Sequence, residues 1–165
     1  MPWVWVSIGS NQERERSIRG AVAALRARYG PLELSRVYES EAVGFAGLPF
    51  LNLVAGFATD EPVGRINAAL RAIEDALGRV RGPEKFAPRT LDLDLLTYGD
   101  RTGTIDGYRL PRDEILRYAF VLGPLAQLAP GERYPPTGAT YRELWEAFDR
   151  PMQPIHPVPF DFDRD

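Results

Sequence analysis

The chain has 165 residues, a formal net charge of −3, one histidine and no cysteine. That length suits one domain whose core can stand without cross-links, and the lack of cysteine excludes disulfides, thiolate metal sites and a cysteine nucleophile. The slight acidic balance argues against a general nucleic-acid binder, which carries a basic excess on one face.

In chain order, Trp3 to Ile8 reads as a strand from its aromatic and β-branched content, closed by Gly9-Ser10-Asn11. The apolar start is short, lacks a basic leading region and runs straight into that turn, so it is not read as a signal peptide. No apolar run approaches the ~20 residues that cross a bilayer, so a cytoplasmic protein with no membrane partner is expected. Ser10 or Asn11 is expected to cap a first helix with Glu13 and Glu15 in its opening turn. Ile18, Val22, Leu25 and Tyr29 give that helix one apolar face, and Gly30-Pro31 ends it.

Residues 32–39 alternate and read as a second strand, and residues 41–49 read as a glycine-bearing loop suited to binding or to plain connection. Phe50 to Thr59 is a third strand, expected antiparallel to the second. Asn52 is its odd member, because a buried amide must find partners. Pro62 opens a second helix with Val63, Ile66, Leu70, Ile73 and Leu77 as its apolar stripe and Gly78 as its stop. A cationic loop over 79–88 leads to a strand over 90–98. The order is β-α-β-β-α-β, which predicts an α+β, ferredoxin-like core with a mainly antiparallel sheet packed by helices, plus C-terminal additions.

Beyond Gly99 the pattern weakens. Ala119 to Leu122 reads as strand or helix, Pro124 to Leu128 as a short helical turn, and Tyr141 to Phe148 as a last short helix. Residues 150–165 hold four prolines and no period, giving an expected division into one domain over 1–149 and an extended tail that wraps the body or stays mobile. His156, inside that tail, reads as a surface residue.

The chemistry concentrates in Arg89-Thr90-Leu91-Asp92-Leu93-Asp94-Leu95-Leu96. Side chains on a strand alternate faces, so Asp92 and Asp94 point one way and Leu91, Leu93 and Leu95 the other. A solvated strand face gives the same spacing. Two adjacent anions nevertheless repel unless a cation sits between them, and Mg²⁺ is commonly held by one or two carboxylates with waters and substrate phosphates. Arg79, Arg81, Lys85 and Arg89 lie just upstream, and guanidinium forks match phosphate oxygens. With no Ser-His-Asp set and no Gly-x-x-x-x-Gly-Lys loop, the combination points to phosphoryl-type transfer by positioning and charge neutralisation.

Ser7-Ile8-Gly9-Ser10-Asn11, Phe50-Leu51-Asn52, Gly78-Arg79-Val80-Arg81, Pro88-Arg89-Thr90-Leu91-Asp92-Leu93-Asp94, and Phe120-Val121-Leu122 with Pro124-Leu125 and Ala129-Pro130 resemble, in order, the 6-hydroxymethyl-7,8-dihydropterin pyrophosphokinase family. The resemblance implies pyrophosphoryl transfer from ATP to the pterin hydroxymethyl oxygen in folate synthesis, releasing AMP, by a protein expected to be a monomer. It implies that Asp92 and Asp94 bind two Mg²⁺, and that Arg79, Arg81 and Arg89 hold phosphates, with Arg79 and Arg89 catalytic alongside the aspartates. Asn52 would read the pterin edge between the rings of Phe50 and Phe120, with backbone near Gly9, Ser40 and Val43 completing the pocket. Glu74 and Leu95 match positions near the nucleotide.

Three positions depart from the family pattern. Phe86 stands where tryptophan is usual and would still close over the pterin. Arg112 stands where histidine is usual and is expected to supply positive charge to ATP. Tyr118 replaces an arginine. Two other readings compete: a nucleotidyltransferase, which also uses an Asp-x-Asp pair but releases pyrophosphate, and a pterin- or nucleotide-binding relative with weak or no catalysis.

Overall fold

A computed structural model describes residues 1–41, 49–77 and 91–163. The first strand, β1 (Trp3–Ser10), leads to α1 (Arg14–Tyr29), the short β2 (Glu33–Leu34), β3 (Val37–Ser40), β4 (Phe50–Ala58), α2 (Val63–Leu77) and β5 (Asp92–Tyr98). A hairpin of β6 (Gly103–Ile105) and β7 (Tyr108–Leu110) follows, then α3 (Glu114–Arg117), α4 (Ala119–Leu128), α5 (Tyr141–Ala147), a 3-10 turn over Arg150–Met152 and β8 (Ile155–Val158).

The main sheet runs β5-β1-β4-β3-β8, with β2 also paired to β4, and its pairings are antiparallel. β1 lies between β4 and β5, with Ser7 opposite both Val54 and Asp94 and Gly9 opposite both Asn52 and Asp92. The α+β, antiparallel architecture is therefore the expected one.

Both faces of the sheet are covered. On one, Val4, Val6, Ile8, Leu53, Leu93 and Leu95 meet Ile18, Val22 and Leu25 of α1 and Ile66 and Leu70 of α2. On the other, Trp5, Val54 and Leu96 meet Ile115, Val121, Leu122 and Leu125, together with Tyr134 and Tyr141. β4 is buried on both faces as a result. Arg14 ties α1 to the sheet by donating to Glu39 Oε2 at 2.9 Å and to the Pro49 carbonyl at 3.1 Å.

Several local expectations change. α1 starts at Arg14 behind a left-handed Glu13 (φ 44°) with no side-chain cap, because the turn is longer than Ser10 or Asn11 could bridge; Ser10 Oγ donates instead to the Gln12 carbonyl. The 32–39 strand divides into β2 and β3 at Ser35. There the Ser35 hydroxyl accepts the Val54 N–H at 2.9 Å and donates to the Arg36 carbonyl at 2.8 Å, replacing a backbone acceptor. Leu77 ends the α2 stripe 41% exposed, lying across Gly20 of α1.

Residues 119–128 form one helix despite Pro124. The proline removes one intrahelical bond, but burial of this segment against the sheet holds the helix together. The segment after Arg150 is anchored through residues 155–158: β8 pairs with β3 from Val37↔Val158 to Ser40↔Ile155. His156 is exposed, with Nε2 3.4 Å from Glu39 Oε1.

Candidate active site

The alternation expected of the acidic strand is present. Leu91, Leu93 and Leu95 enter the core beneath α1 and α2, whereas Asp92, Asp94 and Leu96 line a cavity of about 210 Å³ on the opposite face. Its floor continues onto the neighbouring strands through Ser7 and Gly9 of β1 and Phe50 and Asn52 of β4. This follows from register, since Ser7 and Gly9 sit directly opposite Asp94 and Asp92. Glu114, Tyr118, Phe120 and Val121 of the α3–α4 region form the wall, and Glu41 stands at the end of β3.

Asn52 is 3% exposed, and its Nδ2 donates to Ser40 Oγ at 2.8 Å and to the Tyr38 carbonyl at 3.4 Å. Those bonds leave Oδ1 beside Gly9, where an added Cβ would stand 3.2 Å from that oxygen. Glycine is thus what lets the amide reach the cavity. Phe120 stacks on Tyr118 with ring centres 5.0 Å apart and planes 16° apart, so the wall offers parallel aromatic faces suited to a flat heterocycle.

The charge environment is mixed. Arg71, on α2, reaches around the edge of β5 with Nη2 3.7 Å from Asp94 Oδ1. Its guanidinium also donates to the Leu93 carbonyl. Arg112 is tied to β5 by its N–H to the Leu96 carbonyl at 2.9 Å, and Glu114 grips its guanidinium in two places, Nε to Oε2 at 2.8 Å and Nη2 to Oε1 at 3.1 Å. Burial, the largest single influence, pushes the Glu114 carboxyl upward, but the Arg112 hydrogen bond, a backbone hydrogen bond and the charges of Arg112 and Arg117 together hold the group below the usual carboxylate range. Glu114 is therefore an anion already neutralised by its neighbour.

Asp92 and Asp94 fit a hard cation, because they offer oxygen donors from one strand face into one cavity. Among the described residues no three acidic or histidine side chains converge on a common point. The pair thus suits a cation whose remaining positions go to water and phosphate.

The structure brings Gly9, Phe50, Asn52, Asp92, Asp94 and Phe120 together in one cavity. Ser40 stands one contact behind them through Asn52. Arg112 borders the site on the arm of Glu114. Leu95 is 2% exposed in the opposite core, and Glu74 contacts the β5 backbone, its Oε2 accepting the Leu93 N–H at 2.8 Å. Val43, Arg79, Arg81, Phe86 and Arg89 lie outside the described residues. Sequence reasoning missed Ser7, Glu114 and Arg71. Ser7 was accessible from the period of two before Gly9, whereas Glu114 and Arg71 carried no local signal.

A family model for 7,8-dihydro-6-hydroxymethylpterin-pyrophosphokinase (HPPK) matches residues 5–130. The 2-amino-4-hydroxy-6-hydroxymethyldihydropteridine pyrophosphokinase of Pseudomonas aeruginosa is 38% identical over 136 residues, covering 80% of this chain and 83% of that protein. The Bacillus subtilis protein of the same name is 31% identical over 128 residues, covering 75% and 76%. Among solved structures, a Plasmodium falciparum HPPK-DHPS aligns with a TM-score of 0.71 at 11% identity over 88% of this chain. That likeness concerns the fold, and this chain spans 45% of that one. Since the matched span runs from β1 through α4 and carries every described residue that lines the cavity, the chain belongs to the 7,8-dihydro-6-hydroxymethylpterin-pyrophosphokinase family.

Proposed function

We propose that the chain transfers a pyrophosphoryl group from ATP to the hydroxymethyl oxygen of 6-hydroxymethyl-7,8-dihydropterin in folate biosynthesis, and that the cavity over β1, β4 and β5 seats the pterin. The observation that carries this reading is the meeting of Asp92 and Asp94 with Asn52, Phe50 and Phe120 around one cavity. The hydroxyl oxygen bonds to the β-phosphorus, the bond from that phosphorus to the α,β-bridging oxygen breaks, AMP departs with that oxygen, and the alcohol proton leaves to solvent.

Asn52, its amide nitrogen engaged by Ser40 and Tyr38, presents Oδ1 to the polar edge of the pterin. Phe50 and Phe120 flank the ring. Asp92 and Asp94 would hold two Mg²⁺ together with ATP, and the metal supplies screening of phosphate charge and acidification of the attacking hydroxyl. Arg112 reaches the nucleotide from its place on Glu114, and Arg79, Arg81 and Arg89 grip the phosphates, steadying the charge that shifts during transfer. Backbone near Val43 and the Phe86 ring belong to the pterin side and Glu74 to the nucleotide side on the resemblance to the family. The Leu95 side chain, buried in the opposite core, takes no part in the cavity. No described helix is long and apolar enough to cross a membrane, which accords with work in the cytoplasm.

The test is incubation with ATP, Mg²⁺ and the reduced pterin alcohol, followed by mass analysis. The diphosphate ester and AMP are expected in equal amounts. Release of pyrophosphate would make the protein a nucleotidyltransferase, and pterin binding without AMP would make it an inactive relative.

A further inference from the structure

Residues 150–165 lie beyond the span matched by the family, 5–130, and the reaction above assigns them no part. Gln153 in this segment nevertheless bonds to the wall of the cavity. The side-chain amide of Gln153 makes two hydrogen bonds to the backbone on either side of Tyr118. Its Nε2 donates to the Arg117 carbonyl at 2.9 Å, and its Oε1 accepts the Ala119 N–H at 3.0 Å.

A donor and an acceptor presented side by side are what a neighbouring strand offers to extended backbone. Tyr118 is extended (φ −121°, ψ 125°), the single residue joining α3 to α4. The Ala119 N–H is also one of the first N–H groups of α4, which have no partner inside their own helix. Gln153 therefore does for this junction what neither helix can do for itself.

The amide is held in place from both sides. On one, the Gln153 N–H closes the 3-10 turn onto the Arg150 carbonyl at 3.1 Å. On the other, Ile155 begins β8 and lies against Gly123 of α4, where an added Cβ would come within 2.7 Å of Ile155 Cδ1. The segment borders a second cavity of about 290 Å³ that shares Tyr118 and Phe120 with the first.

We propose that Gln153 is a positioning residue: its amide clasps the α3–α4 junction and thereby fixes the Tyr118 and Phe120 rings that face the pterin. The inference rests on the reading of the first cavity as the pterin seat. Without the clasp, the Arg117 carbonyl and Ala119 N–H turn to water and the junction gains rotational freedom. The aromatic wall then costs entropy to order each time the heterocycle enters. Among the described residues, the hydrogen bonds of Gln153 go to the α3–α4 junction and to Arg150, and none goes to β5 or to Arg112 itself.

The test uses full-length Gln153→Ala and Gln153→Glu proteins, with pterin Kd by calorimetry, KM for both substrates and thermal midpoints. Two lost hydrogen bonds predict a rise of about tenfold in pterin Kd and KM for Gln153→Ala, with the ATP KM held within about twofold. Gln153→Glu keeps an acceptor for Ala119 but sets a carboxylate oxygen against the Arg117 carbonyl, so it too weakens pterin binding while leaving the ATP KM within about twofold. Unchanged pterin affinity in Gln153→Ala overturns this inference alone. So does an equal rise in both KM values with a fallen thermal midpoint, because that marks a merely structural role. Failure of the unaltered protein to bind pterin overturns the reading of the cavity and this inference with it.

Discussion

Asp94 and Arg112 show how two side chains acquire roles from their settings. Asp94 sits on a strand face with its side chain 44% exposed and Arg71 3.7 Å away, so it is available to a cation and is not part of the core. Asp94→Ala is expected to lower kcat by at least about a hundredfold, the scale of losing one transition-state charge contact. Its unfolding free energy should stay within about 0.5 kcal/mol of the parent, as for a surface change. Steady-state kinetics beside a urea titration checks both halves, and near-normal Mg²⁺-dependent turnover would remove Asp94 from the metal site.

Arg112 is aimed by the two-point grip of Glu114 and by its own backbone bond to β5. A planar fork held this way loses little freedom when it meets a phosphate. Arg112→Ala should therefore raise the Kd for ATP about tenfold or more, the worth of one charge-assisted hydrogen bond, while pterin binding changes little. Equal ATP affinity in the two proteins, measured by calorimetry, would show that Arg112 does not contact the nucleotide.

At the scale of elements, the decisive contact is between α2 and the outer edge of β5. β5 is the terminal strand of the sheet, and such edges leave backbone groups open. Arg71 and Glu74, three apart on α2, close that edge at Leu93: Glu74 takes the N–H and Arg71 the carbonyl. The two residues flanking Leu93 are Asp92 and Asp94, so the clamp sets the strand that bears the acidic pair. Burial pushes the Glu74 carboxyl above its ordinary value, against the downward pull of the Leu93 N–H and Arg71.

A raised pKa in the folded state means that the folded protein binds this proton more tightly than the unfolded chain. Its contribution to stability is complete below the ordinary carboxylate value of 4.5 and is lost as pH rises through the raised one. Glu74→Gln should flatten the part of the decline in urea unfolding free energy that begins above the ordinary carboxylate value. Parallel curves for the two proteins would mean that another group titrates there. Glu74→Ala, which leaves the Leu93 N–H without its acceptor, should cost about 1–3 kcal/mol.

For the whole molecule, the sheet is a shared partition between two cores. β1 shows this best, with Trp5 in the α4–α5 layer and Val4, Val6 and Ile8 in the α1–α2 layer. Trp5 lies over Gly56 of β4, where an added Cβ would stand 2.3 Å from its Cζ3, and its indole N–H donates to Glu132 Oε1 at 3.0 Å. Tryptophan this confined, at 2% exposure, cannot shift without moving the layer above it. Gly56→Ala should lower stability by about 1–3 kcal/mol through overpacking, read by chemical denaturation. A neutral result would show that the layers slide past each other more freely than the packing implies.

Local patterning alone determined the order β-α-β-β-α-β, the apolar faces of α1 and α2, and the common face of Asp92 and Asp94. These depend on the periods of helix and strand, which a short stretch of chain carries within itself. The capping box of α5, Thr140 with Glu143, and the Asp106-Gly107 turn of the β6–β7 hairpin were equally readable signals that went unused. Tertiary structure alone decided that Ser35 splits a strand, that Ala119 to Leu128 is one helix through Pro124, that β8 joins the sheet, and that Glu114, Arg71 and Gln153 brace the site. Each of these depends on a partner distant along the chain, and a contact of that kind leaves no period in the residues that make it.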